Sequence, residues 1–411
     1  MNKIYFDHSA TTPVLPEVAQ AMAGFLTENY GNPSSVYETG SATKVALQEA
    51  RESITALLGA DDPKEIIFTA GGSEADNLAI KGVADAKRKG GRHIVTSTIE
   101  HPAVMESVKH LEKNGFQATY VPADAKGMVD PADVAAALTD ETILVSIMLA
   151  NNVVGTIQPI KEIAALVREK GIDFHTDAVQ AVGNVLINVN ELGVDMLSIS
   201  GHKFHGPKGV GALYIRKGKR INPIIHGGGQ ERGKRSGTEN VPGIIGLARA
   251  LEVAEREREE KTERLTVLRE RLVKGVLDSI DEVIYLGDPV RRLPGNACFS
   301  FKFVEGESLI LNLDMMGIAA SSGSACSSHS LEPSHVILAM GYSAVDAHGS
   351  LRITLGRSST EAEVDELLRV LPGIVTRLRR MSPFGVGETA EMFMAEHGED
   401  GHDHHHVHDE L

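Results

Sequence analysis

Short β-rich runs alternate with longer helical patterns through residues 16–255, and this alternation constrains the fold more than any other feature. The run Ile143–Ala150 is apolar along nearly its whole length, as in strands buried on both faces of a parallel sheet. Helical patterns at 74–89, 103–114 and 160–170 separate several of the runs. The alternation predicts an α/β fold with a mostly parallel, doubly wound sheet. The candidate strands are Glu65–Thr69, His93–Thr98, Gln117–Val121, Ile143–Ala150, Ile172–His175, Met196–Ser200 and Val210–Ile215.

The pattern changes in the last third of the chain. A proline-free helical pattern, charged in its middle, runs from Gly243 to about Asp278 and suits a bridge to a second unit. The strand-like segments CFSFKF and LRITLG follow, and then a helical pattern covers Glu361–Arg380. These features predict a second, smaller α+β domain.

The C-terminal tail, residues 385–411, contains eight carboxylates and neither lysine nor arginine, so it carries −8 of the formal net charge of −15. The rest of the chain is mildly acidic and lacks the positive field with which proteins bind nucleic acid or anionic membranes. The tail also contains six of the 17 histidines, whose dense spacing can bind Zn, Ni or Cu; a solubilising tail is the alternative. The candidate weak metal site consists of His402, His404, His405, His406 and His408.

Two cysteines are too few for a disulfide framework or an all-cysteine metal site within one chain. Cys298 lies in an apolar, alternating segment and is predicted to be a buried small hydrophobe. Cys326 lies in a loop of small residues, SSGSACSS, that can expose a thiol. The first 13 residues lack the apolar core of a signal peptide, and the apolar run at 142–150 is too short to span a bilayer, so we predict a cytoplasmic location.

Polar clusters follow five of the predicted strands. Because ligands bind at the carboxyl edge of a doubly wound sheet, we expect these clusters to meet there. A glycine-rich turn for a phosphate, a flat imidazole, a carboxylate and an amine are together the groups that pyridoxal phosphate requires. The clusters are Gly71–Glu74, Ile99–Pro102 with His101, Asn151 with Asn152, Asp177 with Gln180, and Ser200–Lys203.

Each candidate also has a structural interpretation. Ser73 is either a phosphate ligand or the cap of the helix that it opens. His101 precedes Pro102 at a helix N-terminus, which disfavours its charged form, and it is either a ring-stacking group or a capping residue. Lys203, next to glycines and apolar strand ends, is a candidate for a depressed pKa and a Schiff base. Arg352 is either a bidentate carboxylate ligand or a surface residue of a strand.

These residues lie in strings that resemble the cysteine desulfurases of the NifS/IscS type, which are fold-type-I pyridoxal phosphate enzymes. The strings follow the family order over residues 4–360, and SGHKFHGPKG together with RSGTEN is highly specific. The serine-rich context of Cys326 resembles this branch rather than the SufS-type branch. Further strings are YFDHSATTP, GNPSS, FTAGGSEADN, IEHPAV, HTDAVQ, GGGQERGKRSGTENVPG, SSGSACSSHSLEPSHV and LRITLGR.

The resemblance implies the aspartate aminotransferase-like fold of PLP-dependent transferases. In this fold a large domain contains a mostly parallel seven-stranded sheet, and a smaller α+β domain accompanies it. We place the large PLP-binding domain at 16–258 and the small domain at 1–15 and 259–382. Residues 383–411 are expected to form an acidic, histidine-rich and disordered tail.

The resemblance also implies roles for the residues around the cofactor. Lys203 forms the Schiff base and moves the Cα proton, and Cys326 is the nucleophile. Asp177 pairs with the pyridine nitrogen, Gln180 bonds the ring hydroxyl, and His101 stacks on the ring.

Substrate and phosphate ligands are implied in the same way. Asn152 and Arg352 bind the substrate carboxylate, and Asn152 also borders the cofactor. Thr238 reaches the phosphate of the partner subunit, so a homodimer is implied. The phosphate is expected to be held by Gly72, Ser73, Ser200 and His202.

The implied reaction takes sulfur from L-cysteine, gives L-alanine and leaves a persulfide on Cys326. The persulfide then passes to an iron–sulfur scaffold or another thiol acceptor. Two departures from the family pattern, Val153 in NNVVG and Tyr37 after GNPSS, concern fine features such as substrate tolerance and remove no catalytic group. Selenocysteine lyase or cysteine-sulfinate desulfinase activity is an alternative reaction, and metal binding by the tail is an alternative of another class.

Overall fold

The computed structural model describes residues 3–323 and 332–382. Two predictions fall elsewhere, because Cys326 and the histidines of the tail lie outside the described residues. In the described parts of the chain, no helix is long and apolar enough to cross a membrane, and no three potential metal-ligating side chains cluster together.

Twelve strands form three sheets in the described residues. The largest sheet has seven strands in the order β2-β8-β7-β6-β5-β3-β4, and β8 runs antiparallel to both of its neighbours while the other pairs are parallel. The prediction of a mostly parallel seven-stranded sheet is therefore confirmed. The strands are β1 Ile4–Tyr5, β2 Ile66–Thr69, β3 His93–Ser97, β4 Gln117–Val121, β5 Thr142–Ser146, β6 Asp173–Asp177, β7 Met196–Ser200, β8 Gly211–Ile215, β9 Val283–Leu286, β10 Asn296–Phe301, β11 Ile318–Ala319 and β12 Ser350–Thr354.

Helices connect the strands and cover the large sheet. The predicted helical patterns at 74–89, 103–114 and 160–170 correspond to α3, α4 and α6. The helices are α1 Pro16–Thr27, α2 Glu38–Leu58, α3 Gly72–Lys87, α4 Pro102–Glu112, α5 Pro131–Ala137, α6 Ile160–Glu169, α7 Val189–Leu192, α8 Val241–Arg256, α9 Arg258–Ser279, α10 Gly306–Met315, α11 His335–Ala339, α12 Ala344–His348 and α13 Glu361–Met381.

Strand β5 ends at Ser146, earlier than the apolar run predicted. Beyond it the chain leaves the regular ladder but still follows β6, because the Leu149 N–H donates to the Asp177 carbonyl at 2.8 Å. This irregular extension places Asn151 and Asn152 beside the carboxyl end of β6. The polar pair thus closes the apolar run, as the sequence predicted, although the strand itself ends earlier, at Ser146.

The long helical pattern after Gly243 is divided at Glu257 into α8 and α9. Helix α8 packs its apolar face, including Leu247, into the core of the large sheet. Helix α9 packs Leu272 into a second core with the strands of the small antiparallel sheet β12-β10-β9. The pattern is therefore a bridge between two cores, and each helix buries its own apolar face.

Cys298 lies in β10 with no exposed surface, as predicted for a small buried hydrophobe. Burial raises the pKa of its thiol to about 12, so it remains protonated at neutral pH. It therefore contributes packing and no reactive thiolate.

A buried ion pair fixes the glycine-rich segment 226–240 against the large sheet. The Arg51 guanidinium, on α2, bonds both oxygens of Glu231 at 2.7 and 2.8 Å, and both side chains are almost fully buried. Glu231 also accepts the Phe68 N–H of β2 at 3.0 Å. The backbone of Glu231 has a φ of +48°, a strained conformation that these contacts hold in place.

Replacing Arg51 by Met should lower the free energy of unfolding by about 3–5 kcal/mol, because it leaves the Glu231 carboxylate buried without a cation. Urea unfolding of the purified protein measures the change. The control is Arg271→Met, since Arg271 and Asp365 form an exposed pair that we expect to contribute little. Equal effects of the two substitutions would contradict this assignment.

Candidate functional site

A cavity of about 270 Å³ opens at the carboxyl edge of the large sheet. The structure brings most of the predicted site residues together there, although they come from five separate strand ends and from β12. This is the edge at which doubly wound sheets bind ligands. The predicted residues that line it are Gly72, Ser73, His101, Asn152, Asp177, Gln180, Ser200, His202, Lys203 and Arg352.

The structure places the residues of the predicted phosphate cradle beside the cavity, at the start of α3. Helix α3 begins at Gly72, so its first N–H groups and its positive dipole end face the cavity. A Cβ on Gly72 would lie 2.8 Å from the Val179 side chain, which requires glycine at this position. The hydroxyl-bearing Ser73 and Ser200 line the same wall. The cap of α3 is Gly71 rather than Ser73, which leaves the Ser73 hydroxyl to a ligand.

His202 completes the cradle as a neutral imidazole. Burial and the charge of Lys203 lower its pKa to about 4. Its Nδ1 lies 3.2 Å from the Thr11 hydroxyl, which orients the ring. At neutral pH the residue therefore offers a hydrogen bond to an anion without adding a full charge.

Asp177 ends β6 and is buried at the floor of the cavity. Burial raises the pKa of its carboxyl, while His101, the Val179 N–H and Lys203 favour the ionised form. The Val179 N–H donates to the Asp177 Oδ1 at 2.8 Å. This is the environment of a carboxylate that pairs with a cationic ligand atom, since its charge is partly compensated before the ligand binds.

A second carboxyl, Asp76, lines the same cavity and was not predicted from the sequence. It is 1 % exposed, and its Oδ1 has no hydrogen-bond partner in residues 3–323 and 332–382. Burial and the neighbouring Asp177 raise its pKa well above the ordinary value. Its buried neighbour His175 bonds two serine hydroxyls and is kept neutral by burial. Burial therefore favours the neutral form of Asp76, whereas the charge of Asp177 is partly compensated by its neighbours.

Lys203 lies on the short 3₁₀ turn after β7 and points toward the N-terminal segment. Its Nζ donates to the Ser9 carbonyl at 2.5 Å and to the Ala10 carbonyl at 2.9 Å. Gln180 Nε2 donates to the Ser9 carbonyl at 3.0 Å. Ser9 and Ala10 thus form a wall of the cavity that the sequence analysis did not assign, although both belong to the quoted string YFDHSATTP.

Arg352 is 2 % exposed, so its interpretation as a surface residue is wrong. Its Nη1 donates to the Asn152 carbonyl at 3.0 Å, and its Nη2 contacts the Asp7 carboxylate at 2.8 Å. The residue lines the cavity, and its buried Nε has no partner among the described residues. A buried guanidinium with spare donors is suited to bind a ligand carboxylate.

His101 caps α4, because its Nδ1 accepts the Ala103 N–H at 3.1 Å. The same side chain lines the cavity, so the capping and cavity-facing roles coexist. Behind it, Glu100 is fully buried and accepts hydrogen bonds from Ser97 and from the Met148 N–H on one oxygen. Burial raises the pKa of Glu100 to about 8.

Three predicted features do not contribute to this cavity. Thr238 is exposed on the glycine-rich segment, away from the lining residues. Val153 is buried in the core of the large sheet, and Tyr37 is 62 % exposed at the start of α2. Both departures from the family pattern therefore lie outside the lining of the cavity.

Relative to the wild type, the free energy of unfolding of the ligand-free Glu100→Gln variant should increase progressively as the pH rises from about 5 to 8. The folded carboxyl keeps its proton up to about pH 8, whereas the unfolded one loses it near its ordinary value of 4.5. The wild type therefore loses the contribution of Glu100 over this range, and the variant does not titrate. Urea unfolding at three pH values measures the difference.

The matched control is Glu106→Gln, because Glu106 lies on the exposed face of α4. We expect no comparable rise with pH for this variant. A stability difference between wild type and Glu100→Gln that stays constant from pH 5 to 8 would show that Glu100 is ionised in the folded protein.

Comparison with known proteins gives consistent matches along the chain. The family described as Aminotransferase class-V matches residues 4–367. The protein called cysteine desulfurase IscS from Clostridium botulinum is 55 % identical over 386 residues, which cover 93 % of this chain and 97 % of that protein. Cysteine desulfurase IscS from Methanosarcina thermophila is 54 % identical, with 92 % and 94 % of the two chains covered.

Solved structures match over the same length. A NifS-like protein superposes with a TM-score of 0.86 at 41 % identity, covering 92 % of this chain and all of its own. A structure described as SspA in complex with cysteine has a TM-score of 0.76 at 36 % identity, covering 86 % of this chain and 98 % of its own. The α/β architecture read from the sequence is thus the fold of NifS-like proteins.

Proposed function

The chain belongs to the cysteine desulfurases of the class-V aminotransferase family, a PLP-dependent family, and we propose that the cavity described above is the active site in which it takes sulfur from L-cysteine. The observation that carries this proposal is the joint placement of Lys203, Asp177 and Arg352 around one buried cavity. An amine, a compensated carboxylate and a guanidinium with a spare donor are the groups that a PLP enzyme acting on an amino acid needs.

The residues present fit pyridoxal phosphate. The helix N-terminus at Gly72 leaves no room for a Cβ, and hydroxyl groups and a neutral imidazole surround it, as a phosphate requires. We propose that Lys203 binds the cofactor aldehyde, Asp177 the ring nitrogen and Gln180 the ring hydroxyl, with His101 against the ring. The phosphate ligands in this proposal are Gly72, Ser73, Ser200 and His202.

When bound, pyridoxal phosphate supplies an electron sink for the charge that develops at the substrate Cα. The chain then has to position the substrate and move one proton. Arg352 binds the substrate carboxylate, and its contacts to Asp7 and the Asn152 carbonyl fix the guanidinium in advance. Lys203 accepts the proton from Cα, and the burial that favours the neutral form of Asp76 limits the negative charge beside Asp177.

We propose that the Cys326 thiolate attacks the substrate sulfur. The S–S bond of a persulfide forms on Cys326 as the substrate C–S bond breaks, and the remaining carbon skeleton takes up protons to leave as alanine. Two backbone hydrogen bonds, at 2.7 and 3.3 Å, join Arg352 to Ser321. Ser321 precedes Cys326 by five positions, so the proposed ligand of the substrate carboxylate is attached to the segment that leads to the nucleophile. The relatives named IscS support an iron–sulfur scaffold as the sulfur acceptor, and a cytoplasmic location stays a prediction.

Purified protein should show the visible absorbance of bound cofactor and release alanine and sulfide from L-cysteine in the presence of a reductant. Lys203→Ala should lower the rate by about 10²–10⁴-fold, because it removes the group that transfers the proton. Cys326→Ser should keep the absorbance and lose sulfide release, because it removes the sulfur acceptor. Spectra and product assays on the same samples measure both effects.

The matched control for Cys326 is the other cysteine of the chain. Cys298→Ala removes a buried thiol whose raised pKa keeps it protonated at neutral pH. This variant should therefore retain the wild-type rate per folded molecule. A protein that cannot be loaded with pyridoxal phosphate, or a Cys326→Ser variant with unchanged sulfide release, would overturn the proposal.

We also propose that the enzyme is a homodimer in which Thr238 contacts the partner's cofactor phosphate. Thr238 is exposed and does not line the cavity of its own chain. Large apolar side chains are also exposed in the stretch 26–37, a pattern typical of interaction surfaces. They are Leu26 at 64 %, Tyr30 at 73 %, Val36 at 97 % and Tyr37 at 62 %.

Sedimentation should give twice the chain mass of 44.0 kDa. Thr238→Val should weaken cofactor binding about tenfold or more, because a hydrogen bond to a charged group contributes about 1.5–3 kcal/mol. The control is Thr376→Val on the exposed face of α13, which should leave the affinity unchanged. A monomer, or equal cofactor affinities for wild type and Thr238→Val, would contradict this assignment.

A further inference from the structure

A second, smaller cavity of about 50 Å³ borders the active-site cavity. Ser9, Gln180 and Lys203 line both cavities and form the wall between them. On the far side, the second cavity is lined by Lys261 of α9 and by the segment after β12 that contains Arg357. It has room for one or two ligands of the size of water.

The Lys261 ammonium lines this cavity without a direct ion pair in the described residues, although Glu255 and Glu257 attract it from a greater distance. Its Nζ donates to the Gly183 carbonyl, and no carboxylate of the described residues lies within 4.0 Å of it. The two nearest acids are engaged elsewhere, because Glu255 bonds Arg258 and Glu257 bonds Arg357. Burial lowers the pKa of Lys261 to about 8, so most molecules still carry the charge at neutral pH.

His8 points into the same cavity with unused hydrogen-bonding capacity. The residue is 8 % exposed, and neither ring nitrogen makes a hydrogen bond of good geometry in the described part of the chain, although the Tyr5 backbone lies close enough to favour the charged imidazole. Its ring packs on Gly356, where an added Cβ would approach it to 2.3 Å, so the ring has little freedom to turn away. Burial and the positive surroundings, including His205 and Lys261, lower the pKa of His8 to about 4. A neutral imidazole keeps one N–H to donate.

We propose that this cavity binds one small monovalent anion of the size of chloride, held by the Lys261 ammonium and by an N–H of His8. A buried cation is costly unless a counter-charge accompanies it, and a water molecule would satisfy His8 without supplying that charge. The cavity is lined by three basic side chains, Lys203, Lys261 and Arg357, but, among the described residues, by only one carboxylate, that of Glu257. Arg357 already bonds this carboxylate at 2.7 and 3.0 Å. The site does not depend on the proposed function.

Anomalous diffraction from crystals of the holoenzyme soaked in sodium bromide tests the site directly. We expect a bromine peak in this cavity, within contact distance of Lys261 Nζ and a ring nitrogen of His8. Bromide bound elsewhere on the surface, with water or no density in this cavity, would overturn the proposal.

A solution experiment tests the role of Lys261. The thermal midpoint of the holoenzyme should rise more in sodium chloride than in sodium gluconate at equal ionic strength, because gluconate is too large for the cavity. Lys261→Met should lose this difference, since the uncompensated cation is gone. Lys274→Met, on the exposed face of the same helix, should keep it.

His8→Phe provides a second variant, because a phenyl ring has no N–H to donate to an anion, so the substitution should also abolish the chloride-specific shift. A Lys261→Met protein that keeps the full difference between the two salts would overturn the proposal. If either variant does not fold, the bromide experiment on the wild-type protein decides the question.

Discussion

The buried guanidinium of Arg352 is the contact on which the geometry of the active site depends. It lies in the small antiparallel sheet, yet it bonds Asp7 of the N-terminal segment and the carbonyl of Asn152 beside the large sheet. Because a buried guanidinium must satisfy its donors, the three segments cannot separate without a large cost. The same side chain lines the cavity, and its Nε has no hydrogen-bond partner among the described residues, so the group that joins the two cores is also the one we propose as the substrate carboxylate ligand.

Burial also decides which groups of the site carry charge. Asp177, Asp76 and Glu100 are all removed from water, which raises the pKa of each carboxyl, but the charge of Asp177 is compensated by an N–H and by nearby cations. The imidazoles of His175 and His202 are kept neutral for the same reason. Burial therefore reduces the number of competing charges at the cavity, where Asp177 is the carboxyl whose charge is compensated.

Much of this site was predictable because its residues follow strand ends in short motifs. The turn at Gly72, the position of His101 at a helix N-terminus and that of Lys203 directly after a strand were each placed correctly by local sequence. Asp76 was missed because it lies inside a helix, where an acidic residue ordinarily indicates a solvated face. Ser9 and Ala10 were missed because they act through backbone carbonyls, which any residue type can supply.

The alternation of apolar runs and helical patterns is a local property of the chain, and it was sufficient to specify the α/β class, the seven strands and the edge where the polar clusters meet. The tertiary structure alone decided the antiparallel direction of β8, the division of the long helix at Glu257, and the burial of Arg352. These features depend on contacts between distant parts of the chain, such as the bond from Lys203 to Ser9 across 194 positions. Hydrophobic periodicity reports which face of an element is buried, whereas the partner that covers it, and the pKa values that follow, exist only in the packed molecule.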